Sequence, residues 1–270
     1  MFIILLNIFK VEKPIIGVIH LPPLPGSPLY KGNLHNIIDR ALTDSHLLEQ
    51  GGIDGLIIEN FGDKPYKIRV KEPETIAALT LIAYKVKERV RIPIGISLLR
   101  NSGPEALAIA HTVGAEFIRV NAYGEVLISP EGILEPVARE VQELKSKLGA
   151  DVKIFADILC KHTSPLHSIE LEDLVHDLTH RCLADAIIVS GRRTGIPPNV
   201  NLLEKIRSYT NKPILIGSGL TKENIREYWD LADGFIVGTY FKINGVTENP
   251  IDEKRVKEFM SSVFELRSRR

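Results

Sequence analysis

The sequence is poor in three features that would assign it to common classes of protein: paired cysteines, net charge and long apolar runs. Its 270 residues include only two cysteines, Cys160 and Cys182, too few for the disulfide framework of a small secreted domain. Its 34 basic residues are balanced by 34 acidic ones, so no excess charge attracts it to nucleic acid or to an anionic membrane surface. These absences predict a cytoplasmic protein with no nucleic-acid partner and no integral membrane segment.

An apolar stretch, MFIILLNIF, occupies the first nine residues. It is much shorter than the roughly 20 residues that a membrane-spanning helix needs. No basic residue precedes it and no small-residue cleavage site follows it, which argues against a secretory signal. We expect residues 1–12 to form an N-terminal extension, either as an extra strand or plug or as a contact between the subunits of a homo-oligomer.

Eight short runs rich in aliphatic residues recur along the chain, and a helical pattern follows each of them. The runs are 14–20, 55–60, 93–99, 117–120, 153–158, 186–190, 213–218 and 234–239. Continuous apolar runs that alternate with helices are typical of parallel strands buried on both faces. No linker divides the chain, and its length suits one barrel of about 250 residues. The sequence therefore predicts the α/β class and a single (β/α)8 TIM barrel over residues 1–270.

The segments between the runs carry apolar residues at helical spacing and have recognisable helix ends. Gly114 and Gly149 follow two of these segments, where a left-handed residue commonly ends a helix. Ser129-Pro130-Glu131 predicts the start of the fourth helix, which would continue through Ile133 and Leu134 to Gly149. Three connections, 21–33, 61–72 and 191–200, are long for this fold, and each would lie at the C-terminal face that carries barrel active sites.

Small residues follow the last two predicted strands, where they would expose backbone N–H groups to a ligand. They are Gly217, Ser218 and Gly219 around the end of the seventh run, and Gly238 and Thr239 at the end of the eighth. N–H groups near a helix N-terminus bind phosphate readily, and a TIM barrel commonly binds phosphate here. The alternative is that the glycines only permit tight turns.

A third turn of small residues after the sixth run would extend this phosphate cup. Its candidate phosphate-binding residues are Ser190, Gly191, Thr194 and Gly195. The guanidinium groups of Arg192 and Arg193 in the same turn either grip the phosphate, as arginine does in bidentate fashion, or project into solvent.

Acidic residues lie at the ends of two other predicted strands, on the same face as the cup. Glu59 and Asp157 each follow strongly apolar residues, where an ionised carboxylate is costly unless it has a partner. Both are therefore candidates for a general acid or base. A salt bridge from Arg119 to one of them would satisfy the carboxylate without any catalytic role.

Basic and amide side chains complete this polar set. Lys161 suits three roles, as a phosphate ligand, a base or a Schiff-base amine, and would otherwise be an exposed loop lysine. His20 and His162 are candidate proton shuttles, although His20 equally fits a hydrogen-bonded position in the barrel mouth. The residues expected to orient substrate hydroxyl groups are Asn60, Arg119 and Asn121.

Oxygen ligands for a metal ion are also present in the sequence. Glu59, Asp63 and Asp157 would suit Mg²⁺ or Mn²⁺. No tight ligand-spacing motif accompanies them, so we predict no metal and no other cofactor, with Mg²⁺ or Mn²⁺ as the alternative.

Six motifs together resemble the BtpA family over nearly the whole chain. Two are distinctive, IHLPPLPGSP at 19–28 and IENFGD at 58–63; the others are FIRVN at 117–121, Asp157 with Lys161 and His162, IGSG at 216–219 and IVGT at 236–239. The resemblance implies a barrel akin to phosphoribosylanthranilate isomerase and indole-glycerol-phosphate synthase. It also implies a link, in cyanobacteria, to the biogenesis or stability of photosystem I. The apolar start and Arg192-Arg193 depart from the usual pattern.

Motifs and resemblance together lead to two hypotheses from different classes. The first is a cytoplasmic enzyme that acts on a small phosphorylated metabolite, a sugar or nucleoside phosphate, by acid–base chemistry. Isomerase, lyase and hydrolase all stay open, because a fold does not choose its reaction. The second is a non-catalytic biogenesis or stability factor for a membrane complex.

Overall fold

Eight parallel strands close into a barrel in the computed structural model, which describes residues 3–268. The barrel strands are β1 (Ile15–His20), β2 (Gly55–Glu59), β3 (Ile94–Ser97), β4 (Phe117–Val120), β7 (Lys153–Ile158), β9 (Ala186–Val189), β10 (Ile214–Ile216) and β11 (Gly234–Val237), and three short strands outside it are β5 (Leu127–Ser129), β6 (Gly132–Leu134) and β8 (Ser164–Pro165). Pairing follows chain order, and β11 closes on β1. Each barrel strand lies inside its predicted run, so the predicted TIM barrel is confirmed.

Helix α1 precedes the barrel, and the later helices alternate with the strands and cover the outside of the barrel. They are α1 (Ile3–Phe9), α2 (Leu34–Gln50), α3 (Pro73–Arg89), α4 (Gly103–Val113), α5 (Ala138–Leu148), α6 (Leu171–His176) with a π-helical turn (Asp177–Arg181), α7 (Val200–Tyr209), α8 (Ile225–Tyr228) and α9 (Glu253–Ser268), with 3₁₀ turns at Thr239–Phe241 and Ile243–Gly245. Gly114 and Gly149 end α4 and α5 in the left-handed conformation, as predicted. No helix within residues 3–268 has the length and apolarity to cross a membrane.

The predicted fourth helix is wrong over its first half. Residues 127–134 form an antiparallel hairpin of β5 and β6, to which β8 adds a third strand, and α5 begins only at Ala138. In the hairpin Leu127 and Leu134 are buried while Ile133 is exposed. Neighbouring side chains thus point to opposite faces, as they do in a strand. A run this short fits the helical and the strand period equally well, and only contact with β8 separates them.

The N-terminal extension is a helix rather than a strand, and it plugs the N-terminal end of the barrel. Leu5 and Phe9 of α1 join the apolar cluster inside the barrel. The Phe9 ring meets Phe117 edge to face at 5.6 Å and leaves no room for a Cβ at Gly55. Burial of one such side chain contributes about 1.5–3 kcal/mol. The ends of the predicted extension and domain, 1–2 and 269–270, lie outside the described residues.

Candidate functional site

The C-terminal ends of the barrel strands surround two adjoining cavities. One, the glycine cavity, measures about 190 Å³ and is lined by residues of the 217–221 and 238–240 segments. The other, the aromatic cavity, measures about 380 Å³ and includes Phe61 and Tyr66 in its wall. Five side chains line both cavities: His20, Glu59, Arg119, Lys161 and Thr194. One molecule could therefore occupy both cavities and meet these five side chains at its middle.

Backbone N–H groups around the glycine cavity are open. Within residues 3–268, no acceptor takes a hydrogen bond from the N–H groups of Ser218, Gly219, Gly238 or Thr239. The N–H of Gly217 differs, because it donates to the carbonyl of Val189 at 2.9 Å and belongs to the barrel. Four of the five predicted amides of the cup are thus available to an anion.

The glycines of the cup are also required by close packing. Gly219 has a φ of +72°, and a Cβ there would lie 2.0 Å from the nitrogen of Pro197. A Cβ at Gly238 would lie 2.6 Å from the imidazole carbon Cε1 of His20. The glycines at these two positions are therefore needed for close packing of the turns, and their N–H groups are also open to a ligand.

The predicted third turn contributes only in part. Thr194 and Gly195 line the glycine cavity. Gly191 does not offer its amide, because its N–H donates to the Ser218 hydroxyl at 3.0 Å. Ser190 and Gly191 line a separate cavity of about 750 Å³ beside the hairpin, here called the hairpin cavity. Arg192 and Arg193 are both exposed and neither lines the glycine cavity, although Arg192 lines the hairpin cavity.

Asp157 is engaged in a buried salt bridge. Arg119 donates Nε and Nη2 to its two carboxylate oxygens, both at 2.9 Å, and Asn121 donates to it at 2.8 Å. The Asp157 side chain is fully buried and lines neither cavity. The geometry favours the salt-bridge alternative over the acid–base role predicted for Asp157. The salt bridge also orients the Arg119 guanidinium, which lines both cavities.

Glu59 keeps a carboxylate oxygen free of close partners beside a neutral histidine. Its Oε2 accepts from the Ser97 hydroxyl at 3.0 Å, and its Oε1 lies 3.8 Å from His20 Nε2. Burial, followed by the charge of Lys242, lowers the pKa of His20 well below its ordinary value. At neutral pH the imidazole is therefore uncharged, and it is available to a ligand as a proton donor or acceptor.

The basic residues beyond β7 lie at the junction of the cavities. Burial, followed by the neighbouring Arg119 charge, lowers the pKa of Lys161. The ring of His162 is exposed, with Nε2 at 3.4 Å from the Thr194 hydroxyl, and burial with the Lys161 charge lowers its pKa too. Lys161 is hence half-buried in the cavity walls rather than an exposed loop lysine.

Asn60 and Asp63 hold a loop instead of facing the cavities. Asn60 accepts from the Leu99 N–H at 2.7 Å and donates to Asp63 at 2.9 Å. Asp63 in turn accepts from the N–H of Leu24 at 2.7 Å, in the proline-rich connection. Asn60 is also fully buried and lines neither the glycine nor the aromatic cavity. Within residues 3–268, no three His, Cys, Asp or Glu side chains converge into a group able to hold a metal ion.

Sequence reasoning missed several residues of the cavity walls. Arg255, from α9, lines the glycine cavity with its guanidinium over the Tyr240 ring, 4.5 Å from the centroid. Lys64, Tyr66 and Glu131 line the aromatic cavity. These residues lie far from strand ends, or in the hairpin read as a helix. A search restricted to strand ends could not find them, although the long 61–72 connection pointed to two of them.

Glu125 is a buried carboxyl group near the site whose ionisation we expect to destabilise the fold. Its Oε1 accepts from the Leu159 N–H at 2.9 Å, while its Oε2 is buried with no partner within residues 3–268. Burial raises its pKa to about 7. Because the folded pKa exceeds the unfolded one, the stabilisation by the bound proton is complete below about pH 4.5 and is lost as the pH rises through about 7.

Glu125→Gln is therefore expected to be more stable than the wild type at pH 8, by about 1–3 kcal/mol, and nearly equal to it at pH 4. Urea unfolding at the two pH values measures the difference. Glu143→Gln, on the exposed face of α5, is the control and should show no such pH dependence. An equal effect of Glu125→Gln at both pH values would contradict the prediction.

Comparison with known proteins adds a family and a fold. The model of the BtpA family matches residues 11–265. The photosystem I biogenesis protein BtpA of Synechocystis is 41% identical over 262 residues, covering 97% of this chain and 91% of that protein. An uncharacterised protein of Thermococcus kodakarensis is 40% identical over 256 residues, which cover 95% of this chain and 97% of that protein. The structure of phosphoribosylanthranilate isomerase from Pyrococcus furiosus matches with a TM-score of 0.55 at 14% identity, and the match covers 94% of this chain and 99% of that one. The two proteins therefore share the fold.

Proposed function

We propose, since this chain belongs to the BtpA family, that it is an enzyme acting on a small phosphorylated metabolite. The phosphate would bind in the glycine cavity, and the reacting carbon atoms would lie toward the aromatic cavity. The observation that carries the proposal is the set of four open N–H groups, from Ser218, Gly219, Gly238 and Thr239, around one cavity. Buried backbone donors without a partner are rare in folded proteins. Ser218 is buried and the other three residues are half-buried, and a doubly charged phosphate satisfies several such donors at once.

The strength of such binding follows from the number of donors. Each hydrogen bond to a charged group contributes about 1.5–3 kcal/mol. Four of them offset the entropic cost of association and still allow micromolar binding, which corresponds to about 8 kcal/mol. Arg255 and Lys161, which line the same cavity, add positive charge near the phosphate.

Acid–base chemistry is assigned to Glu59, with the neutral His20 beside it. Glu59 is the carboxylate that lines both cavities, and its Oε1 is 3.8 Å from the imidazole, a distance that leaves both groups able to turn toward a substrate. Arg119 and Asn121 line the aromatic cavity and would orient hydroxyl groups, with Asp157 holding both. His162 is exposed and lines the aromatic cavity. The site is thus suited to moving protons on a sugar or nucleoside phosphate.

The alternative is a non-catalytic factor in the biogenesis of a membrane complex. It is favoured by the Synechocystis relative, which is 41% identical and carries the name of a photosystem I biogenesis protein. Such a factor would not require a carboxylate and an uncharged histidine beside open amides. Assembly into a homo-oligomer and a cytoplasmic location stay predictions under either proposal.

A phosphometabolite library provides the test. We expect inorganic phosphate and some library members to raise the melting temperature, and at least one member to be turned over. Glu59→Gln should lower turnover by about 10²–10⁴-fold, the usual contribution of a general acid or base, and should leave stabilisation by inorganic phosphate intact. Glu116→Gln, whose carboxylate lies at the opposite end of the barrel beside Lys87, is the control. A screen with neither stabilisation nor turnover would contradict the proposal and favour the biogenesis factor.

A further inference from the structure

Lys161 differs from the other cations around the cavities because its ammonium group is unpaired. Lys64 pairs with Glu248 at 2.8 Å, Arg119 with Asp157 at 2.9 Å, and Arg100 lies 3.6 Å from a Glu131 oxygen. Within residues 3–268, by contrast, no acceptor or carboxylate lies within hydrogen-bond or ion-pair distance of Lys161 Nζ. The amine is thus left for whatever occupies the cavities.

The position of Lys161 is central and its backbone is held. The side chain lines the glycine, aromatic and hairpin cavities. Its carbonyl accepts from the Arg100 guanidinium at 3.1 Å, which fixes where the side chain begins. A ligand that occupies both the glycine cavity and the aromatic cavity therefore has Lys161 in the wall on each side.

The surroundings of Lys161 favour a nucleophile over a permanently charged anchor. Burial and the neighbouring Arg119 guanidinium lower its pKa, which raises the fraction of neutral amine at neutral pH. A neutral amine carries the lone pair that attacks a carbonyl carbon. Glu59, which lines the same two cavities as Lys161, can carry protons to and from that amine.

We propose that Lys161 forms an imine with the carbonyl carbon of a phosphorylated aldose or ketose whose phosphate lies in the glycine cavity. This inference rests on the proposed function and narrows its substrate class to sugar phosphates with an open-chain aldehyde or ketone. It also narrows the reaction to those in which an imine withdraws electrons from the neighbouring carbon.

The covalent step is balanced by groups already in the site and by water. The Nζ lone pair forms a bond to the carbonyl carbon, and Glu59 transfers a proton from nitrogen to the carbonyl oxygen. A second proton, from solvent, reaches that oxygen, which leaves as water when the carbon–nitrogen double bond of the iminium forms. A C–H bond on the adjacent carbon then breaks and Glu59 accepts its proton, or a C–C bond there breaks and the departing fragment leaves as an aldehyde whose hydroxyl proton Glu59 accepts. In either case the electron pair of the broken bond moves toward the iminium nitrogen. Protonation at carbon and hydrolysis release the product and restore the amine.

Borohydride trapping tests the proposal, because borohydride reduces an imine to a stable secondary amine. The protein is incubated with dihydroxyacetone phosphate, ribulose 5-phosphate or fructose 6-phosphate in the presence of borohydride, and the modified peptide is identified by mass spectrometry. We expect one reduced adduct on Lys161, suppressed by excess inorganic phosphate. Lys161→Arg keeps the charge but should lose the adduct, while Lys153→Arg, at the N-terminal end of β7, should keep it.

Thermal stabilisation separates failure of this inference from failure of the proposed function. If inorganic phosphate stabilises both the wild type and Lys161→Arg, and no stabilising sugar phosphate labels Lys161, the imine is excluded and the phosphate site stands. A borohydride adduct that still forms on the Lys161→Arg variant also excludes an imine at Lys161. If neither inorganic phosphate nor any sugar phosphate stabilises the wild type, the proposed phosphate site is excluded, and the imine proposal that depends on it is excluded too.

Discussion

Replacing Arg119 with methionine is expected to lower the free energy of unfolding by about 3–5 kcal/mol, because it leaves a buried carboxylate without its cation. The Asp157 side chain is fully buried, and both of its oxygens take hydrogen bonds from Arg119 at 2.9 Å. Asn121 would remain as a donor to one oxygen, but an amide does not neutralise the charge. Urea unfolding at neutral pH measures the loss.

The double variant Arg119→Met/Asp157→Leu is the matched control. Replacement of both members of a buried pair by apolar groups is often neutral, so the double variant should recover most of the stability. It should not recover turnover, because the guanidinium that lines both cavities is gone. A double variant as unstable as the single one would show that Arg119 stabilises the barrel by something other than its pairing with Asp157.

Gly219→Ala is expected to cost about 3 kcal/mol or more in unfolding free energy and to abolish stabilisation by phosphate. The backbone of Gly219 has a φ of +72°, and the new methyl group would lie 2.0 Å from Pro197 N and 2.2 Å from Ile196 C. Both are main-chain atoms, so one loop must shift, and overpacking of this kind typically costs about 1–3 kcal/mol beyond the strain of the left-handed residue. The shift would move the open amides of Ser218 and Gly219.

Gly114→Ala separates backbone strain from collision. Gly114 has nearly the same φ, +71°, with no atom within 4 Å of the added Cβ. Its substitution should cost only about 1–2 kcal/mol and leave the phosphate response unchanged. Chemical denaturation and a phosphate thermal shift on both variants check the prediction, which equal losses in the two variants would contradict.

The barrel could be predicted because its strands are buried on both faces. A strand such as β1, with all six residues buried, shows as an uninterrupted apolar run whatever its neighbours are. The hairpin of β5 and β6 could not be predicted in this way. Its two short strands pair with each other and with β8, so their period is set by contacts that the local pattern does not contain.

The site shows the same division. Glu59 and Lys161 were placed at cavity walls by their position after apolar runs, because parallel strands bring their C-terminal ends to one face. Which carboxylate has a partner was not predictable. Asp157 and Glu59 have similar sequence surroundings, and only the register of β4 with β7 aligns Arg119 and Asn121 with Asp157.

Local composition by itself determined the class of fold, the face that carries the polar residues and the small residues of the cup, because each depends on burial or on backbone freedom near one position. The tertiary structure decided, within residues 3–268, which amides stay open, which acid is neutralised and that the lysine between the two cavities stays unpaired. Those outcomes depend on distances of a few ångströms between segments far apart in the chain, as with Arg255 of α9 at the glycine cavity, and charge interactions change steeply over such distances.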